Sequence, residues 1–149
     1  MNKLWFRKRH LALVLINLSA LLIAGYLTRL HFKPDLSDVC NFSERWNCDI
    51  VNKSTYSTLF GVPVAIFGAL TYLSLLIFSI RGLYRDQNRL IPYVFLALNG
   101  ALAFSLYLTG VEAFILKTFC VFCVAQQVLI LLEYGIFLSF IKDLRPKHS

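Results

Sequence analysis

The sequence predicts an all-α integral membrane protein, a bundle of four transmembrane helices. Three observations carry that reading: an apolar composition, four long apolar runs, and charge clustered mainly in the connections between them and at the ends of the chain. Hydrophobic residues make up 58% of the 149-residue chain, against roughly 45–50% in an average soluble domain. Only 15% of residues are charged. The runs extend over about residues 11–28, 59–80, 90–116 and 119–141, close to or above the roughly 20 helical residues that cross a hydrocarbon core. Lipid offers no partner to backbone amides, so these runs must bond internally as helices; a barrel would need shorter, alternating segments.

The first run follows Lys3, Arg7, Lys8 and Arg9, as a signal peptide would, but no small-residue cleavage site follows it cleanly and it reads as a spanning helix. A polar connection over about residues 30–58 comes next, with aromatic residues at Phe42, Trp46 and Tyr56 and cysteines at Cys40 and Cys48. The second run places Pro63 in its first turn, where the missing N–H costs nothing, with Ser57 or Thr58 as its cap. Only Lys117 and Thr118 separate the third run from the fourth. Those two helices therefore form an antiparallel hairpin whose turn opens into Phe119-Cys-Val-Phe-Cys123.

The net charge of +7 follows membrane sidedness rather than nucleic-acid binding. Ten of the fifteen basic residues precede the first helix, join the second and third, or follow the fourth: Lys3, Arg7, Lys8, Arg9, Arg81, Arg85, Arg89, Lys142, Arg145 and Lys147. The positive-inside rule then puts both termini in the cytosol. The long loop and the CxxC fall on the other side, where disulfides form and persist. No nucleic-acid partner is expected. Residues 1–149 read as one membrane domain without internal repeat, low-complexity segment or fused thioredoxin-like domain.

A CxxC at a helix N-terminus can close a disulfide, and its first thiol meets the positive end of the helix dipole, which favours thiolate. Cys120 is thus the better nucleophile, with Cys123 one turn deeper toward the apolar interior. Cys40 and Cys48 can form a second disulfide and exchange with the first by thiolate attack. A zinc site built from the four sulfurs, with His31 the nearby histidine, and a purely structural pair of disulfides are the alternatives. A cysteine pair at the membrane boundary is placed to connect water-borne thiols with an acceptor in the bilayer, and that favours a redox relay.

Taken together, these residues resemble the vitamin K epoxide reductase family in its bacterial disulfide-forming branch. The resemblance covers almost the whole chain: Asp38-Val-Cys40, the loop pair, Ser54 six residues after Cys48, Leu59-Phe-Gly-Val-Pro-Val-Ala-Ile-Phe-Gly68, and Ser105-Leu-Tyr-Leu through Glu112 to the CxxC. It implies a four-helix bundle around a quinone, ubiquinone or menaquinone, drawn from the quinone pool of the membrane. Cys123 would face that quinone, Cys120 would trade its disulfide with Cys48, and Cys40 would receive electrons from a separate thioredoxin-like protein. The implied setting is the bacterial inner membrane, with the cysteines on the periplasmic or extracellular side.

Candidate quinone contacts are Ser54, at the family's serine position, together with Tyr56, Phe60, Phe67 and Gln127. Phe60 and Phe67 lie beside the redox end of the second helix. Gln127 stands one turn after the CxxC, where vertebrate vitamin K enzymes carry a tyrosine, so epoxide reduction is not expected. Glu112 can influence cysteine protonation or pair with Lys117. Glu133, on the Gln126 side and away from the expected cysteine face, suits a structural or a proton-handling role. Asn17 and Asn99 are expected to bond between helices. The function that emerges is a quinone-dependent thiol oxidoreductase that generates disulfides; a thiol-ligated metal-binding or transport protein and a disulfide-stapled structural subunit are the competing readings.

Overall fold

A computed structural model of the chain describes residues 3–33, 40–85 and 88–144. Four helices in it are long and apolar enough to cross a membrane. They are α1 (Lys3–Phe32), α3 (Val64–Tyr84), α4 (Ile91–Gly110) with a π-helical extension (Val111–Leu116), and α5 (Val121–Leu144). Between α1 and α3 lie a short antiparallel pair, β1 (Asn41–Ser43) and β2 (Trp46–Asn47), the five-residue helix α2 (Cys48–Asn52), a 3₁₀ turn (Thr55–Ser57), and a hairpin of β3 (Thr58–Leu59) and β4 (Val62–Pro63). Asp38 and Arg145 to Ser149 lie outside the described residues.

Polarity is arranged for lipid. Leu15, Leu22, Leu70, Leu96, Leu106 and Leu132 point outward, whereas Asn17, Ser79 and Glu133 are buried. A soluble bundle would do the reverse; here backbone and polar side chains are satisfied inside and leucine meets hydrocarbon. The chain is an integral membrane protein. One buried cluster joins Ala20, Tyr72, Leu75, Phe78, Leu98 and Phe137 in the body of the bundle. A second surrounds three cysteines at one end: Leu27, Leu30, Cys40, Cys48, Val51 and Cys120.

Element boundaries depart from the apolar runs at both ends of α1, α3 and α5. α1 runs from Lys3 rather than residue 11, because charge ends a hydropathy window but not a helix; Arg9 continues the coil and lays its guanidinium 3.0 Å from the Trp5 ring centre. α3 starts at Val64 rather than Leu59. Phe60 (φ 53°) and Gly61 (φ 79°) both adopt positive φ, the requirement of a two-residue type I′ hairpin turn. Thr58 then pairs with Pro63 and Leu59 with Val62, so Pro63 precedes α3 instead of sitting in its first turn, and neither Ser57 nor Thr58 caps it. At its far end α4 widens into the π-helix, closed by Lys117 in the left-handed region.

Candidate functional site

The cysteine end is assembled by backbone pairing that few side chains announce. Asn47 N–H donates to the Phe119 carbonyl at 3.0 Å, and Phe119 N–H donates to the Arg45 carbonyl at 2.8 Å. The residue before the CxxC thus forms a single parallel bridge to β2, with Trp46 and Phe119 rings 5.6 Å apart. Thr118 Oγ1 adds a bond to the Glu44 carbonyl at 3.2 Å. Each such bond is worth about 0.5–1.5 kcal/mol net, and together they set the register between the loop and the α4–α5 turn.

From β2 the chain enters α2 directly. Asn47 Oδ1 accepts from the N–H groups of Asp49 (3.0 Å) and Ile50 (3.1 Å), capping a helix whose first residue is Cys48. The other end of α2 is tied to α1: Asn52 Nδ2 donates to the Leu27 carbonyl at 3.0 Å, and His31 Nδ1 lies 2.8 Å from the Asn52 carbonyl. His31 is therefore turned to backbone, not toward the sulfurs. Cys48 joins Cys40 in a disulfide with Cα atoms 5.6 Å apart, and Cys120 and Cys123 are free thiols.

Cys120 Sγ lies 3.1 Å from Cys48 Sγ. Cys40, Cys48 and Cys120 are each fully buried, with their three sulfurs within 4.8 Å of one another. The Cys120 thiol is held below its ordinary pKa, first by a hydrogen bond with the Cys123 side chain and also by Cys123 N–H, against opposing burial and the charge of Glu112. That N–H reaches Cys120 Sγ at 3.3 Å. Cys120 occupies the cap position of α5, so its sulfur takes the role of a capping oxygen and faces the positive end of the helix dipole. A stabilised sulfur anion next to a disulfide sulfur is the arrangement that thiol–disulfide exchange requires.

Beside this cluster, inside the bundle, is a cavity of about 200 Å³. Cys123 lines it and Cys120 does not. Among the candidate contacts, Ser54, Tyr56 and Phe67 also line it. Ser54 does so while bonding as a turn hydroxyl to the Val51 carbonyl at 2.7 Å. Phe60 stands apart from the cavity at the tip of the β3–β4 hairpin, 95% exposed. Gln127 is also outside the lining; its amide oxygen accepts from Ser105 and Thr109 on α4.

Gln126, Tyr72 and Glu112 are among the wall residues that the sequence reading did not assign as cavity contacts. Gln126 is three residues after Cys123 and Gln127 four, and both spacings keep a residue near the cysteine face. Which flank faces inward is decided by α4 packing on the Gln127 side. Glu112 is 4% exposed, and its Oε2 accepts from Cys120 N–H at 3.2 Å. It turns toward the CxxC instead of pairing with Lys117, because the π-helix rotates the last turn before the hairpin. Asn17 and Asn99 do bond between helices, to Glu133 at 2.7 Å and from Tyr134 at 3.0 Å.

Four membrane helices with a buried disulfide in contact with a free CxxC thiol define a membrane-embedded thiol–disulfide oxidoreductase. Residues 11–137 match the vitamin K epoxide reductase family, and the chain belongs to that family.

Proposed function

We propose that the chain generates disulfides by relaying electrons from a thioredoxin-like protein, through Cys40–Cys48 and then Cys120–Cys123, to a membrane quinone. The observation that carries this reading is the split within the CxxC: Cys120 is 3.1 Å from Cys48, whereas Cys123 opens on the cavity. A partner dithiol reduces the Cys40–Cys48 disulfide. Cys48 then exchanges with an oxidised CxxC by attack on Cys120, and Cys123 leaves as the thiolate facing the cavity. Cys40 resolves the Cys48–Cys120 bond, which returns the loop disulfide and leaves the CxxC reduced.

The cavity residues suit a quinone ring. Phe67, Val64 and Leu108 supply apolar walls, and the Tyr56 and Tyr72 hydroxyls are donors suited to ring carbonyls. A volume of about 200 Å³ would suit a single quinone headgroup. When bound, ubiquinone or menaquinone supplies a two-electron, two-proton acceptor. Glu112, bonded to Cys120 N–H and exposed to the cavity, can hold a proton between the CxxC and that acceptor.

The distribution of basic residues supports an orientation with the cysteines outside the cytosol, as in a bacterial inner membrane. The direct test is anaerobic quinone reduction by the purified chain with a reduced thioredoxin-like protein. Quinol should form in proportion to partner disulfide, and none should form with Cys123→Ser. The three-sulfur cluster also has the proximity of a metal site. Its occupation would need the Cys40–Cys48 bond reduced and a fourth ligand that His31, bonded to Asn52, does not provide. Stoichiometric zinc in purified protein would favour that second reading.

A further inference from the structure

A polar column runs from the cavity through the body of the bundle, and beyond Tyr72 the disulfide relay makes no use of it. α1 contributes His10 and Asn17, α3 contributes Tyr72 and Ser79, and α5 contributes Gln126 and Glu133, each pair seven residues apart. Seven residues are two helical turns, about 10 Å along the axis, so each helix presents two polar groups on one stripe. The stripes meet. Asn17 Nδ2 donates to Glu133 Oε1 at 2.7 Å, and Gln126 Nε2 donates to the Ala20 carbonyl of α1 at 2.9 Å. Tyr72, Ser79 and His10 are buried as well, and His10 Nδ1 and Nε2 find no hydrogen-bond partner among the described residues.

The column has two defined ends. Tyr72 and Gln126 line the cavity. His10 lies next to Arg7, Lys8 and Arg9 at the opposite end of the bundle, packed with the Phe6 and Phe140 rings and against Gly82, where a Cβ would fall inside the imidazole. Between the ends, Glu133 is 2% exposed, and its Oε2 has no hydrogen-bond partner among the described residues; neither does Asn17 Oδ1 or Gln126 Oε1. Buried polar groups are normally paired, and an acid within a membrane helix is costly. An amide at position 133 would accept the Asn17 bond equally well. A carboxyl is needed only where a proton is to be held and released.

We propose that the column is a proton path, and that disulfide formation by this chain thereby moves charge across the membrane. Protons enter at the membrane face opposite the cysteines and reach the cavity through His10, Glu133 and Tyr72. The proposal rests on the quinone reading above. Its balance is complete: the partner's two S–H bonds give one S–S bond, two electrons that travel through the cysteines, and two protons released on the cysteine side. The quinone takes up those two electrons and gains two O–H bonds with protons from the column. Were the thiol protons to follow the electrons instead, by way of Glu112, no charge would cross.

The test uses the full chain in liposomes containing ubiquinone and a trapped pH indicator, with the reduced thioredoxin-like partner added only outside. Only molecules with outward cysteines then turn over. The lumen should become alkaline as quinol forms, approaching two protons per quinol, until a protonophore collapses the difference. Glu133→Gln should lose the alkalinisation. Its fold is checked by retained thiol exchange with the partner in the absence of quinone, and should it fail that check, His10→Leu carries the same expectation. Quinol formation by the unmodified chain without lumenal change overturns the proton path and leaves the quinone reading standing. Undiminished alkalinisation in the folded variant also overturns it. Absence of any quinol from the unmodified chain instead overturns the quinone reading, and the column's role with it.

Discussion

Replacing Asn47 with Ala should slow exchange between the two cysteine pairs without touching a sulfur. Asn47 Oδ1 accepts from two N–H groups of α2, at 3.0 and 3.1 Å. Loss of such a cap costs about 0.5–2 kcal/mol. α2 has five residues, far too few to persist on intrinsic propensity, so the loss falls on the placement of Cys48 against Cys120. With tenfold in rate for each 1.36 kcal/mol, exchange should slow by about 2- to 30-fold. The assay is rapid acid quench and alkylation after mixing with reduced partner, followed by mass analysis of each cysteine peptide. Asn47→Asp keeps an acceptor at the cap and should stay within about twofold of the unmodified chain. Exchange at the unmodified rate in Asn47→Ala would refute the claim that the capped helix positions Cys48.

The two cysteine pairs should separate by electron donor. Cys120→Ser and Cys123→Ser should abolish quinone reduction with any thiol, whereas Cys40→Ser and Cys48→Ser should block the protein partner yet retain turnover with dithiothreitol. Because the Cys123 side chain is the foremost influence holding the Cys120 pKa down, Cys123→Ala should move the thiolate absorbance of Cys120 to higher pH, read in a background lacking Cys40 and Cys48. Phe60→Asn should leave the KM for quinone unchanged and raise the Tm, since Phe60 is exposed at a positive-φ turn position and left-handed backbone costs such a residue about 1–2 kcal/mol. Phe67→Ala, in the cavity wall, should raise that KM. Gly82→Ala should lower the Tm, by about 1–3 kcal/mol of overpacking against His10.

The four spanning helices could be read from the sequence because lipid leaves an apolar run of that length one backbone solution. The cysteines could be found for a related reason: reactive thiols of two pairs were predicted at one membrane face. Leu59 to Pro63 was harder. Its residues are as apolar as the helix that follows, and a hydropathy window does not register that Phe60 and Gly61 take positive φ together. The choice between Gln126 and Gln127 depends on where α4 packs, which is a tertiary fact. Glu112 was visible as an acid near the outer end of its helix, but its approach to Cys120 needs the π-helical turn, for which Val111 to Leu116 carries no evident sequence signal. Nothing in the sequence singles out Asn47, whose part rests on its two bonds to α2.

The central claim is that electrons pass between the pairs at Cys48 and Cys120. A chain carrying both Cys40→Ala and Cys123→Ala retains only those two thiols, their sulfurs 3.1 Å apart in the unmodified protein, and no further thiol to resolve a bond between them. Mild oxidation followed by proteolysis and non-reducing mass spectrometry should recover the Cys48 and Cys120 peptides linked by one disulfide in most of the protein. Recovery of both as separate peptides, freely alkylated after the same oxidation, would contradict the relay.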